Sequence, residues 1–254
     1  MLLNYLIIIH LLLFLTLSKS FHLSTRNVCN FKSNYRHKVT VLLDTVQEGI
    51  GVEGCKLTSP SGINAQPLVI QSLSFFGYFF ALSMGGYLVI QLFDILQTIN
   101  LSLFNLWKQT FGLLGIIFMV AGITHFTVKK EYENIYPFQG AWGFWYLPGS
   151  SEFHVIWTGI AELLLGAGLT VGSILNLISS PNSGSDLIAY SSLGLLILTV
   201  LVTPANIFMW THGARLPMSQ PPVDVKFHYV RGALQSILLA QFFALSEPAL
   251  QDLF

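Results

Sequence analysis

Charge is what this sequence has least of. Lys, Arg, Asp and Glu make up 9% of its 254 residues, against about 25% in ordinary globular chains. So little charge cannot cover a water-soluble surface, and an ordinary soluble enzyme is excluded. The 12 basic and 12 acidic side chains cancel, leaving no basic field of the kind that holds nucleic acid. Nucleic acid is therefore not expected as a partner. Cysteine is scarce as well: Cys29 falls in the amino-terminal leader, and only Cys55 follows it. A disulfide within the mature chain, a C-x-x-C thiol relay and a cysteine-ligated metal centre are excluded, and no metal site is expected. A Gly-rich dinucleotide fingerprint is missing too. Apolar residues, by contrast, make up 53% of the chain, with 20 Phe. That is more than one water-soluble core can hide, and the chain reads as an integral protein of a lipid bilayer.

Met1 to Leu17 is apolar apart from Asn4, His10 and Thr16, and shorter than the roughly 20 residues that cross a bilayer. Ser18 and Ser20 flank Lys19 just before Phe21, which is the pattern of a cleaved signal peptide over residues 1–20. From Phe21 the composition changes. Arg26, Lys32, Arg36 and Lys38 stand among Ser, Thr and Asn with no acid before Asp44, as in an organelle transit peptide. Signal first and transit second, with Phe at the junction, resembles the bipartite presequences of algae with secondary plastids and implies a plastid membrane, thylakoid or envelope. A plain secretory signal followed by a polar tail, and hence a secretory-pathway membrane, is the alternative. Gly49, Gly51, Gly54, Pro60 and Gly62 bring no useful periodicity, so residues 21–66 read as transit peptide and disordered approach.

Pro67 opens the first of five apolar stretches, Leu68 to Ile95, Phe104 to Val128, Phe153 to Ile178, Leu187 to Trp210 and Phe227 to Leu245. Each is long enough for a transmembrane helix, and none alternates as a barrel strand would. Gly168 and Gly172 stand at small-xxx-small spacing among further glycines at 112, 115, 159 and 166, which favours close helix approach. Basic residues gather at Arg36, Lys38 and Lys56, at Lys129 and Lys130, and at Arg215 and Lys226, whereas the opposite face has little except Lys108. The positive-inside bias therefore sets the amino-terminal side on the stroma-like face. The aromatic loop Lys129 to Glu152, with Tyr132, Tyr136, Trp142, Trp145 and Tyr146, is expected at headgroup level.

An ionisable group inside a span costs roughly 2.5 to 3.5 kcal/mol on insertion scales, so each needs a partner or a purpose. His125 closes the second stretch, His154 opens the third, Asn206 and His212 end the fourth, and His228, Arg231 and Gln235 begin the fifth. All of these ends face the amino-terminal side. His228, Arg231 and Gln235 fall at i, i+3 and i+7, along one helical face. Glu162 lies about 12 Å deeper than His154, at a level roughly 7 Å from that of Arg231. A Glu162 to Arg231 ion pair is expected, whether it serves chemistry or only fixes helix register. Pro204 removes a helical hydrogen bond and frees a carbonyl near residue 200, with Asn206 beside the weakened turn. A kinked, polar end of this kind suits the oxygenated head of a quinone, with Phe-rich walls for its tail.

The runs AGITHFT (Ala121 to Thr127), FHVIWTGIAELLLGAGL (Phe153 to Leu169), TPANIFMWTHG (Thr203 to Gly213) and FHYVRGALQ (Phe227 to Gln235) resemble the DoxX family of small membrane proteins, across about Trp107 to Leu245. The resemblance implies an all-α four-helix transmembrane bundle over residues 104–246. It makes residues 67–100 an extra amino-terminal transmembrane helix and leaves residues 247–254 as an acidic tail. His125, Glu162, Asn206, His212, His228, Arg231 and Gln235 are then the polar members of the shared motifs. Relatives in the family include subunits of thiosulfate to quinone oxidoreductases and a membrane component of oxidative-stress complexes, and fold alone does not fix the chemistry. No cysteine near the cluster could carry sulfur covalently. The leading expectation is a membrane component of a redox assembly that contacts quinone or a redox protein partner. The alternatives are a non-catalytic scaffold or assembly factor, and transport of a small anion past Arg231. The E-x-x-H-x-R spacing of light-harvesting helices is absent, so pigment binding ranks below these.

Overall fold

The computed structural model describes residues 58–179, 183–216 and 220–253. Residues 1–57, where the signal peptide and transit peptide are expected and both cysteines fall, lie outside the described residues. Five helices are long and apolar enough to cross a membrane: α1 Leu68–Ile99, α2 Leu101–Thr127, α4 Ser151–Ile178, α5 Ser185–His212 and α6 Val225–Leu253. The short helix α3, Lys129–Asn134, follows α2. No strand occurs among the described residues. The protein is an all-α integral membrane protein.

Local chemistry sets the helix ends. Pro67 precedes α1 and its carbonyl accepts from Ile70 and Gln71 N–H, the pre-organised start that Pro favours. Asn100 caps α2 through Oδ1, which accepts from Leu103 N–H at 3.0 Å, and a 3₁₀ turn at Thr110–Gly112 interrupts that helix. Asp224 Oδ1 accepts from Lys226 N–H at 2.8 Å and so starts α6. Helix α5 stops at Gly213, whose φ of 72° only glycine adopts cheaply. The Gly213 N–H returns to Met209 O. Helix α6 does not stop where the apolar stretch does: it continues through Pro248 to Leu253, so the acidic tail is helical up to that residue.

The chain divides into two compact units. The first comprises the described part of Met1–Phe80 with Lys130–Glu152 and Pro204–Tyr229. Its centre is Trp142, fully enclosed and held at φ 55°, ψ 9°. Gly140 and Gly143, both at φ 87°, make the tight turn that aims this side chain inward. Phe75 packs on it at a ring separation of 4.6 Å, and Trp145 and Phe208 meet it edge-on. Trp142, Phe144 and Trp145 of the aromatic loop are therefore a packed core. Burial pushes the Tyr136 hydroxyl above the usual phenol value of 10, against the pull of the facing Trp145 indole. The approach to α1, which has no periodicity in sequence, is ordered from Ser59: Ser59 and Ser61 hydroxyls donate to Thr211 and Trp210 carbonyls at 2.9 and 2.7 Å. They satisfy acceptors that the end of α5 leaves open.

The second unit comprises Ala81–Lys129, Phe153–Thr203 and Val230–Phe254. Within it, α2 and α4 cross in backbone contact. A methyl group added at Gly115 would stand 2.5 Å from Gly166 O, and one at Gly122 2.8 Å from Gly159 O. These glycines are seven apart on both helices, one antiparallel seam. Helix α4 turns another glycine face to α5, where Gly168 meets Ser191 and Gly172 meets Gly184. Its third face is apolar and exposed at Phe153, Ile160, Leu164, Val171 and Ile174, as a lipid-facing stripe should be. Gln235 ties α6 to α5, and Phe118 of α2 meets Phe242 of α6. The second, third, fourth and fifth apolar spans thus close a four-membered ring. Helix α1 lies outside it, Gly85 against Ser236 of α6 and Phe93 against Phe104, Trp107 and Phe111 of α2.

Candidate functional site

Of the seven polar residues singled out in the sequence, His125, Glu162, Arg231 and Gln235 belong to the second unit, and Asn206, His212 and His228 to the first. His125 and Glu162 meet directly. His125 Nδ1 stands 3.2 Å from Glu162 Oε2, with both side chains at most one-tenth exposed. Gly159, one helical turn before Glu162, makes this possible, since a methyl group there would lie 2.6 Å from His125 Cβ. The same Nδ1 is 3.0 Å from Ala121 O. A carbonyl oxygen can only accept, so Nδ1 carries a proton and directs it at Ala121. Glu162 Oε2 lies beside the ring but receives no directed hydrogen bond.

The expected Glu162 to Arg231 pair does not form. Glu162 faces His125, and Arg231, half-buried, is engaged elsewhere. The depth estimate carried no information on the ring order: α4 and α6 stand at opposite corners, and α2 brings His125 to Glu162 instead. Gln235, at 5% exposure, donates from Nε2 to Thr203 Oγ1 at 2.7 Å and approaches Thr199 O at 3.4 Å. Thr203 Oγ1 itself donates to Thr199 O at 2.8 Å. The turn just before Pro204 is therefore the polar link between α5 and α6. Asn206 is half-buried and His228 buried, and both are engaged.

In the first unit, His212 sits among Phe138, Trp142 and Phe208, with the Phe208 ring stacked at 4.8 Å. Thr211 organises this corner. Its hydroxyl donates to Ile207 O at 2.8 Å, accepts from Trp142 Nε1 at 3.0 Å and meets His212 Nδ1 at 2.8 Å. With its one proton given to Ile207, the hydroxyl can only accept from His212, so the neutral imidazole carries its hydrogen on Nδ1. Thr199, Thr203, Thr211 and Trp142 are the members that sequence reasoning missed. The signals were present: threonines four residues apart leading into Pro204, and a tryptophan bracketed by Gly140 and Gly143. Among the described residues no three His, Cys, Asp or Glu side chains gather to hold a metal ion.

No protein-family model matches the sequence, and neither the curated proteins nor the solved structures contain a match.

Proposed function

We propose that this protein is the membrane component of a redox assembly, built on a DoxX-like four-helix domain, and that it contacts quinone or a redox partner through the end of the domain that carries His125. One observation supports this above the others. Glu162 Oε2 is buried with no hydrogen bond aimed at it, and an imidazole lies beside it. A pair retained only for packing gains from being fully satisfied, because a half-satisfied buried carboxylate is costly. Two ionisable groups side by side within a span do suit proton exchange. Quinone reduction takes up a proton with each electron, and a redox partner would supply the electrons.

The experiment is quinone retention in lipid nanodiscs. Wild type should carry quinone, and the His125→Gln, Glu162→Gln double variant, with an unchanged unfolding temperature, should hold it at least about tenfold less well. Absence of quinone from the wild type, or equal retention by a folded double variant, overturns the reading.

The second reading, a non-catalytic scaffold, draws on His212. That residue is only 3% exposed, and its bond to Thr211 ties it into an internal network rather than an open site. The leader's composition supports placing the protein in a plastid membrane. A reporter fused to residues 1–66 should reach the plastid and be rerouted by Phe21→Ala, while delivery to the cell surface by the intact leader contradicts the placement.

A further inference from the structure

Lys108 is the one basic residue that the charge asymmetry of the sequence leaves over, and in the second unit it lines a pocket of about 300 Å³ with Asn105, Gln109, Ser173 and Asn176 among its walls. The lining holds one cation and three amides but no acid. Asn176 Oδ1 is taken by the Gly184 N–H at 2.7 Å, so the amide must present its NH₂ group to its surroundings. Ser173 has its proton committed to Leu169 O, so it offers an anion no donor and is not among the proposed contacts. Lys108 has no carboxylate within ion-pair distance among the described residues, and although Asp94, Asp186, Glu247 and Asp252 belong to the same face of the topology, none of them lines the pocket. A half-buried ammonium, an oriented amide donor and two further amides without any acid form a site for an anion.

Depth narrows the ligand. Helix α2 has 27 residues, about 40 Å, the thickness of a bilayer with its headgroups. Lys108 is roughly 10 Å along it from Leu101, where a lysine stem lies in apolar surroundings and its ammonium reaches the phosphate level. Leu177, which lines the same pocket, is 72% exposed, so the opening adjoins the lipid-facing surface. We propose that this pocket binds a phosphate or phosphate-ester anion through Lys108, with Asn105, Gln109 and Asn176 as the neutral donors. The site is independent of the His125 and Glu162 pair.

The test uses the full chain in neutral detergent, with thermal unfolding followed by tryptophan fluorescence. The probes are inorganic phosphate, short-chain phosphatidic acid, and short-chain phosphatidylcholine as the control for a tail with a neutralised headgroup. Phosphatidic acid should raise the unfolding temperature of the wild type saturably and more than phosphatidylcholine does. Lys108→Gln should weaken the apparent affinity at least about tenfold, Lys108→Arg should retain it, and Lys130→Gln should leave it unchanged. A response to inorganic phosphate as well identifies a free-phosphate site, and a response to the lipid alone identifies a headgroup site; both support the proposal. No saturable shift in wild type, or equal shifts in wild type and Lys108→Gln, overturns it.

Discussion

Gly159→Leu is expected to abolish the folded state of the detergent-solubilised protein, and Gly159→Ala to lower its stability by about 1 to 3 kcal/mol, the usual cost of forcing a carbon into a filled interface. The room for a side chain at this point is already occupied: a methyl group would meet His125 Cβ at 2.6 Å, and the Gly122 carbonyl lies 3.3 Å away. Neither neighbour can yield cheaply, because one is backbone and the other is the rigid root of a side chain that reaches Glu162. In lipid, helix association depends on packing rather than on water exclusion, so a gap opened between α2 and α4 has little to offset it. Gly77 supplies the control, since nothing lies within 4 Å of a methyl group there. Gly77→Ala should be neutral, or stabilise by up to about 1 kcal/mol through helix propensity. Unfolding midpoints of the three variants in one detergent decide the matter. Equal effects of alanine at Gly159 and Gly77 would show that α2 and α4 do not approach through these glycines.

The five spans were legible because lipid imposes a single rule, about 20 apolar residues for each crossing, that composition alone reveals. Their limits were less so. The apolar stretch of the fifth span ends at Leu245, whereas α6 runs to Leu253, because a helix satisfies its own backbone beyond the hydrocarbon as well as within it. The polar residues at the span ends could be found from their cost, but their partners could not. Periodicity places Glu162 at a depth and on a face of its own helix. Which helix stands opposite depends on the glycine seam, and Gly122, its key member on α2, looks in sequence like any other small residue. The aromatic loop shows the same limit from the other side: composition marks it as interfacial, but that Trp142 turns inward depends on the positive φ values at Gly140 and Gly143.

Trp142→Ala should cost about 3 to 5 kcal/mol, the range for deleting a large enclosed aromatic side chain, and the loss divides into parts that other variants isolate. The indole is fully enclosed, and its N–H has a single acceptor, Thr211 Oγ1 at 3.0 Å. Trp142→Phe keeps most of the packing against Phe75 and Phe208 and removes the donor, so it should cost clearly less than Trp142→Ala. Thr211→Val keeps the shape of the threonine while removing the acceptor for two buried N–H groups, Trp142 Nε1 and His212 Nδ1. Each stranded donor is worth about 1 to 3 kcal/mol, so Thr211→Val should be much more damaging than Thr211→Ser, which retains the oxygen. Its side chain also donates to Ile207 O, but that carbonyl already has a helical partner and loses little. Denaturant midpoints measure the costs, and nitrogen-15 spectra of the histidine ring report whether the hydrogen sits on Nδ1. If Thr211→Val proves as mild as Thr211→Ser, the Trp142 and His212 N–H groups have another acceptor. The closed corner around His212 would then be wrongly assigned, and with it the observation that favours a scaffold.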